Sequence, residues 1–582
     1  MIWNICFYSA LAIWAIGIIM LIVKKNKVAP FYIIFGSVVL SSFSIFFPIY
    51  SKIFSGTSYA AVKTVFISLH NTIRLFVGDG EFNFITDNIG DAPAKIVEVY
   101  ALLSAALYVL APALTFGFIL SFFKNVTAYR KYLTSYFADL YIFSELNEKS
   151  YLLAKDLKKN QPKRCIIFND VFEMDDEPSY ELIQKAKELN AILFKKDISV
   201  INFDRHSKKA GLTFFVMGND EDENIQQTYA LWDKYSSRKN SYLYVFTQSK
   251  NSELLFQDLN QGEMKLRRVN EVQSFIGRHL FDNGIKIFES AKPVSENEKA
   301  ISVVIAGLGQ YGMELLKSLT WFCQMDGYRL EVNAFGTDEN AKKYFESMCP
   351  EIMDEKHNGD FTTKGEAHYK INIHSGVDFR SLEFKNAIRE ISDVTYVFVG
   401  MENDESTIET AVEIRTQLLK DQLKPVIDAL VWDVEKCRAL ANIKNFKQKE
   451  YGIHFIGDME SSYSEKVVLH SDLEKEALAR HLQWGEEEEF WRFEYNYCSS
   501  IASAIHRKMR ILCQIPGADK SVEQRSEDEL WGLRELEHCR WNAYMRSIGY
   551  TYAQIRDDMA KTHHCLVPFE ELSLAEKEKD DI

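Results

Sequence analysis

The chain has 582 residues, more than one hydrophobic core accommodates, and a prior of about one domain per 150 residues implies roughly four units. A formal charge of −14 and a pI near 5.6 exclude a general nucleic-acid binder, because phosphate contacts need clustered Lys and Arg. Nine scattered cysteines without a C-x-x-C pair point to a reduced cytosolic bulk and speak against structural zinc.

The apolar content is concentrated in residues 1–123. The run from Ile2 to Val23 has about the length that crosses a roughly 30 Å hydrocarbon core. No basic stretch precedes it and no small-residue cleavage site follows, so it reads as an anchor. Further spans are expected at about 30–50 and 96–123. Lys24, Lys25 and Lys27 follow the first span, and Lys124, Arg130 and Lys131 follow the third. The positive-inside rule then puts the N-terminus outside and the bulk of the chain in the cytoplasm, at the inner (plasma) membrane, with three spans satisfying the parity.

Between spans two and three, Val62, Phe66, Leu69, Ile73 and Phe76 recur at helical spacing, which describes an amphipathic helix at the outer interface. It runs into Phe76-Val77-Gly78-Asp79-Gly80. A potassium filter is a carbonyl ladder after a pore helix, commonly T-V-G-Y-G. Val77, Gly78 and Gly80 match that spacing, while Phe76 and Asp79 replace the threonine and the aromatic. Two readings stand: a pore segment through Val77, Gly78, Asp79 and Gly80, or an interfacial helix closed by a Gly-Asp-Gly turn.

After the third span, apolar strands alternate with helix-patterned segments: ADLYIFSELNEKSYLLAKDL (138–157), then strands at 164–168, 191–194, 212–217 and 242–246. This alternation predicts a mostly parallel, doubly wound sheet. Its first strand-to-helix turn, Ser144-Glu145-Leu146-Asn147, lacks glycine, so close approach of a pyrophosphate there is not expected. A second unit starts near residue 300 with ISVVIAGLGQYGMELLKSL. Here Gly307 suits the turn, Gly309 close phosphate approach and Gly312 helix packing. The acid that would hold a ribose should close the next strand, LEVNAF (330–335). The nearest candidate, Asp338, falls three residues late and serves equally as a helix cap. FVMGNDEDENIQQTYAL (215–231) and FVGMENDESTIETAVEI (398–414) share a strand, an acidic turn and a helix, which suggests a duplication. Those acidic turns read either as cation ligands or as solvated helix starts.

Membrane spans followed by DLYIFSELNEKSYLLAKDL, KLRRVNEVQSFIGRHLF (265–281) and VVIAGLGQYGMELL resemble the RCK (TrkA-N type) regulatory domains of prokaryotic potassium channels and transporters. The resemblance covers roughly 136–470. It implies cytoplasmic dimers or rings in which ligand binding moves the transmembrane helices, with NAD(H) or another adenine nucleotide as regulatory ligand.

The end of the chain, LEHCRWNAYMRSIGYTYAQIRDDMAKTHHCLVPFEELSLAEKEKDDI, looks like the RyR domain, the repeat of ryanodine receptors and of scattered bacterial proteins. Glu537, His538 and Trp541, Gly549, Tyr550 and Tyr552, the run Cys565-Leu566-Val567-Pro568, and Leu572, Lys577 and Asp580 carry that likeness, over roughly 490–582. His564 stands where the family has proline. His538, Trp541, Tyr550 and Tyr552 either line a pocket for a flat base or belong to the core. His563, His564 and Cys565 lack a fourth ligand at a normal zinc spacing, so no metal is expected.

The expected organisation is a membrane α-helical N-terminal region (1–123), two α/β Rossmann-like domains (136–290 and 300–470) and a small, mainly α RyR domain (487–582). The expected function is a ligand-gated ion channel or membrane effector, a homo-oligomer (dimer or tetramer) and not an enzyme. It would pass potassium or another cation in response to a nucleotide or related metabolite. A membrane-anchored NAD-dependent oxidoreductase is the alternative from another class, and a stress or antiviral effector answering a nucleotide second messenger is a third reading.

Overall fold

The computed structural model describes the whole chain except residues 1, 24–28, 91, 172–176, 205, 249–258, 260–261, 360–365, 441–443, 445–449, 470–471 and 581–582. Lys24, Lys25 and Lys27, and the side chain of Lys124, lie outside the described residues. The chain divides into two compact units, Met1–Leu133 and Thr134–Ile582.

Five helices are formed by the described residues of the first unit: α1 (Ile2–Val23), α2 (Ala29–Ile53), α3 (Ala60–Val77), α4 (Phe82–Ile89) and α5 (Ala94–Thr134), whose last residue begins the next unit. Among the described residues, Ile34–Ile53 and Val97–Phe116 are long and apolar enough to cross a membrane, and Ile2–Ala15 is a shorter apolar stretch. At 1.5 Å per residue, each 20-residue stretch covers about 30 Å. Tyr100 ties α5 to α2: it is buried, and its hydroxyl lies 3.2 Å from the Ser44 and Ile45 carbonyls.

Helix α3 turns its faces opposite to the usual amphipathic arrangement. Thr64, Ser68, Thr72 and Leu75 are buried, whereas Val62, Phe66, Leu69, Ile73 and Val77 are exposed. The hydroxyl face tolerates burial because Thr64 and Thr72 donate to the carbonyls one turn back, of Ala60 (2.8 Å) and Ser68 (2.9 Å). Phe76 is turned inward and packs on Phe35, ring centroids 5.1 Å apart.

The second unit is α/β. Strands β1 (Leu140–Phe143), β2 (Cys165–Phe168), β3 (Ile192–Leu193), β4 (Leu212–Val216), β5 (Ser241–Phe246) and β6 (Lys265–Val269) form one parallel sheet in the order β3-β2-β1-β4-β5-β6. After β7 (Lys292–Pro293) come β8 (Lys299–Ala306), β9 (Tyr328–Phe335), β10 (Lys370–His374), β11 (Tyr396–Val399), β12 (Val426–Leu430) and β13 (Ile453–Ile456). These are ordered β10-β9-β8-β11-β12-β13, with β7 antiparallel on β8. Both orders are the doubly wound 3-2-1-4-5-6, whose direction reverses between β1 and β4 and between β8 and β11. Strands such as Leu212–Val216, buried throughout, read as near-continuous apolar runs because helices cover both faces.

Short polar side chains open the helices that follow. Asn147 and Ser150 form a capping box, Asp220 accepts from the Asp222 and Glu223 amides, and Asn403 accepts from the Ser406 amide. The acidic turns of both halves thus serve as helix N-caps.

The two sheets exchange elements. The helix Glu271–Asn283, which follows β6, buries Ile276, Leu280 and Phe281 in the core of the second sheet. Beyond β13 the chain returns, placing Tyr463, Val468 and Leu469 in the core of the first. Arg164 binds Glu465 there through two 2.6 Å hydrogen bonds. Three C-terminal helices, Asp472–His481, Glu494–Leu512 and Glu527–Ser547, share one apolar core with the second sheet, and β14 (Thr551–Tyr552) pairs β15 (Thr562–His563).

Candidate functional site

The glycine turn lies at the switch point between β8 and β11. Gly307 has a φ of +102°, and a Cβ there would meet the Gly400 carbonyl oxygen at 2.1 Å, so a side chain is excluded twice. A Cβ on Gly312 would lie 1.9 Å from the Gly307 carbonyl oxygen, which lets the helix Gln310–Phe322 close on the turn. Gly309 is extended, caps that helix, and would carry a Cβ meeting nothing within 4 Å. This open cradle at a 13-residue helix N-terminus suits a phosphate ester. Beyond β9, one Asp338 carboxylate oxygen accepts the Asn340 amide (2.8 Å) and the Asp338 carbonyl accepts that of Ala341. Asp338 therefore helps start a helix. NAD(H) or another adenine nucleotide fits this turn at its phosphate end.

A second feature was not legible beforehand. A cavity of about 410 Å³ opens where the two sheets meet, lined by Phe275 and His279 from the exchanged helix, by Tyr311, by Trp432 after β12, and by Glu271 and Tyr463. Phe275, Tyr311 and Trp432 pack around one another with ring centroids 5.0–5.6 Å apart. Glu271 accepts from Lys149 Nζ (2.9 Å) and Tyr463 Oη (2.8 Å), so its charge is compensated at the wall. Tyr311 sits two positions past Gly309, in the first turn of the fingerprint helix, which brings the cavity next to the glycine turn.

Behind the cavity, Asp428 of β12 is buried and held by three donors: His279 Nε2 at 3.0 Å, Tyr396 Oη at 2.8 Å and His454 Nδ1 at 3.3 Å. A carboxylate only accepts, so His279 carries its proton on Nε2. Burial alone would raise the Asp428 pKa, but the bonds from His279, His454 and Tyr396 hold it well below the usual range. The network fixes the ring of His279, a cavity wall. Aromatic faces with a few oriented polar groups describe recognition of a small planar molecule.

The C-terminal candidates separate. His538 is buried, its Nε2 2.9 Å from the Val567 carbonyl, and its ring lies 6.0 Å from that of Trp541. Trp541 meets His563 edge-on at 4.9 Å. Tyr550 is buried and donates to Asp558 (3.2 Å), whereas the Tyr552 side chain is exposed and its amide donates to Glu351 (2.6 Å). The structure thus joins His538 and Trp541 and leaves Tyr552 outside. The ligand atoms of His563, His564 and Cys565 lie within 4.8 Å of one another. His563 Nδ1 already accepts the Cys565 amide, and the Cys565 thiol faces Glu576 at 3.7 Å.

In the first unit, Val77 ends α3 and Gly78 follows in the left-handed region with φ 79°. The amide of Gly78 donates to Leu75 and that of Asp79 to Arg74, and the Asp79 carboxylate pairs with Arg74 at 3.1 Å. A Cβ on Gly80 would strike the Tyr108 ring at 2.6 Å. This is a glycine-terminated helix end.

No protein-family model matches the chain, and no curated protein matches it.

Proposed function

We propose that the chain is a ligand-gated membrane protein, an ion channel or membrane-permeabilising effector, whose α/β unit senses a nucleotide or related metabolite. The observation that carries this reading is the cavity between two doubly wound sheets, adjoining an open glycine turn, in a chain that also has apolar helices of membrane-crossing length. A ligand in such a cavity touches both sheets at once. It therefore favours one arrangement of them over another by the difference in its affinity for the two, and about 1.4 kcal/mol of difference changes a population ratio tenfold. Residues 135–139 join the last N-terminal helix to β1, a short covalent path for that bias.

Three membrane helices do not enclose an aqueous pathway alone, so the reading includes assembly as a homo-oligomer, a dimer or tetramer. It places the protein in the inner (plasma) membrane with the N-terminus outside and no catalytic step. The test is ion flux from liposomes containing the purified full chain, with NAD, ADP-ribose, ATP or a cyclic oligonucleotide added. Flux that responds to one compound, and loses the response in Gly309→Asp or Trp432→Ala, is expected. Flux absent throughout, with NADH oxidation in its place, replaces this reading with the membrane-anchored oxidoreductase.

A further inference from the structure

The loop after β15 brings three metal-binding side chains to one point. His563, His564 and Cys565 are consecutive, and one ligand atom from each lies within 4.8 Å of the other two. Neighbours in a strand point to opposite faces, but β15 ends at His563 and the alternation stops there, which lets the three converge. The two imidazole rings are stacked, with centroids 5.0 Å apart and planes 7° from parallel. His563 and Cys565 are buried, with Trp541 edge-on to His563 and with Phe569 and Leu572 clustered about the thiol. His564 is exposed and leaves a way in from solvent.

A fourth ligand comes from another element. The Cys565 thiol donates to Glu576 Oε2 at 3.7 Å, from the short helix Leu574–Lys577. Lys579 holds the same carboxylate at 2.9 Å, but in a solvent-exposed pair that contributes little. The donor set selects the ion. Imidazole and thiolate suit zinc, whereas magnesium and calcium take oxygen ligands. A thiolate and a carboxylate together balance a divalent charge. The metal takes the place of the thiol proton that now points at Glu576, and that proton leaves to solvent. His563 Nδ1 accepts the Cys565 amide at 3.1 Å, so this nitrogen carries its lone pair on the side of Cys565, where the metal takes it from the amide. Bonds of about 2.0 Å to nitrogen and about 2.3 Å to sulfur set tetrahedral ligand atoms roughly 3.3–3.6 Å apart, so side-chain adjustments of about an ångström close the set.

We propose that His563, His564, Cys565 and Glu576 form a binding site for a zinc-like divalent ion, a structural clip between the loop after β15 and the helix Leu574–Lys577. Sequence spacing shows three of these ligands and hides the fourth, which stands eleven positions beyond Cys565. The site is independent of the nucleotide reading.

The test uses the full-length protein in detergent, stripped with a chelator and titrated with cobalt(II). Ligand-field bands of cobalt report tetrahedral geometry, and a near-ultraviolet charge-transfer band reports a thiolate ligand. One equivalent giving both signals is expected, displaced by zinc and not by magnesium, with a thermal midpoint higher in zinc than in chelator. Cys565→Ser should abolish the charge-transfer band, and His564→Ala or Glu576→Gln should weaken cobalt binding at least tenfold. Cys437→Ser, at a thiol bonded to the Val431 carbonyl, should leave the spectrum unchanged. Should Cys565→Ser fail to fold, His564→Ala, at an exposed position, decides. Absence of the bands from the wild type overturns the proposal, and so does unchanged cobalt affinity in His564→Ala and Glu576→Gln.

Discussion

A Cβ on Gly312 would sit 1.9 Å from the carbonyl oxygen of Gly307, while one on Gly309, between them, would touch nothing. Gly312→Ala should therefore destabilise the α/β unit by about 1–3 kcal/mol, the usual range for forced overpacking. Gly309→Ala should leave the melting midpoint nearly unchanged and act on ligand response alone. Equal midpoints for Gly312→Ala and wild type would refute the packing role.

Asp428 gathers His279, Tyr396 and His454 on one buried carboxylate. Asp428→Ala removes the acceptor and strands buried donors, at about 1–3 kcal/mol for each left unsatisfied. Asp428→Asn keeps an acceptor oxygen and should recover part of the loss. Urea unfolding followed by Trp fluorescence reads the difference, since Trp432 lies in the adjoining wall. Asparagine as damaging as alanine would argue that charge, and not hydrogen bonding, holds His279.

The bidentate pair Arg164–Glu465 fastens the returning chain to the first sheet, both side chains being about nine-tenths buried. Deleting the acid leaves a buried guanidinium alone, so Glu465→Ala should cost about 3–5 kcal/mol. Limited proteolysis should show earlier cutting near 459–469 in this variant. Unchanged cutting and an unchanged midpoint would show that Tyr463, Val468 and Leu469 suffice.

Acid sensitivity follows from His506, which is fully buried with Nε2 2.6 Å from the Gln324 carbonyl. Burial first, then the Arg510 charge, lowers its pKa to about 3. The unfolded chain, with an ordinary value near 6.5, binds the extra proton between about pH 3 and 6.5, so stability rises with pH across that window and is lost on acidification. The loss by pH 4 is on the order of 3 kcal/mol. His506→Gln should flatten the dependence of the melting midpoint on pH between 4 and 6.5, leaving what His357 and His563, both lowered to about 4, contribute in the same direction. A pH profile as steep as wild type would discard His506 as its source.

Much of the α/β architecture is readable without coordinates, because each strand and each cap is a local matter. The runs at 140–143, 212–216 and 301–306 are mostly apolar because both faces of a parallel sheet are covered. The glycine spacing of 307, 309 and 312 announces a turn whose stereochemistry lies within six residues. Helix α3 shows where periodicity stops: its apolar stripe marks a face, and only packing reveals that the hydroxyl face turns inward. The residues that build the cavity and its network come from separate elements. Phe275, Tyr311 and Trp432 lie far apart in sequence, and His279 meets Asp428 across 149 positions because a helix following the first sheet packs on the second. Local pattern alone therefore determined the helices, strands, caps and glycine turn of this protein. Tertiary structure decided which distant side chains share a cavity or a buried charge, since such contacts depend on packing between elements that no sequence period encodes.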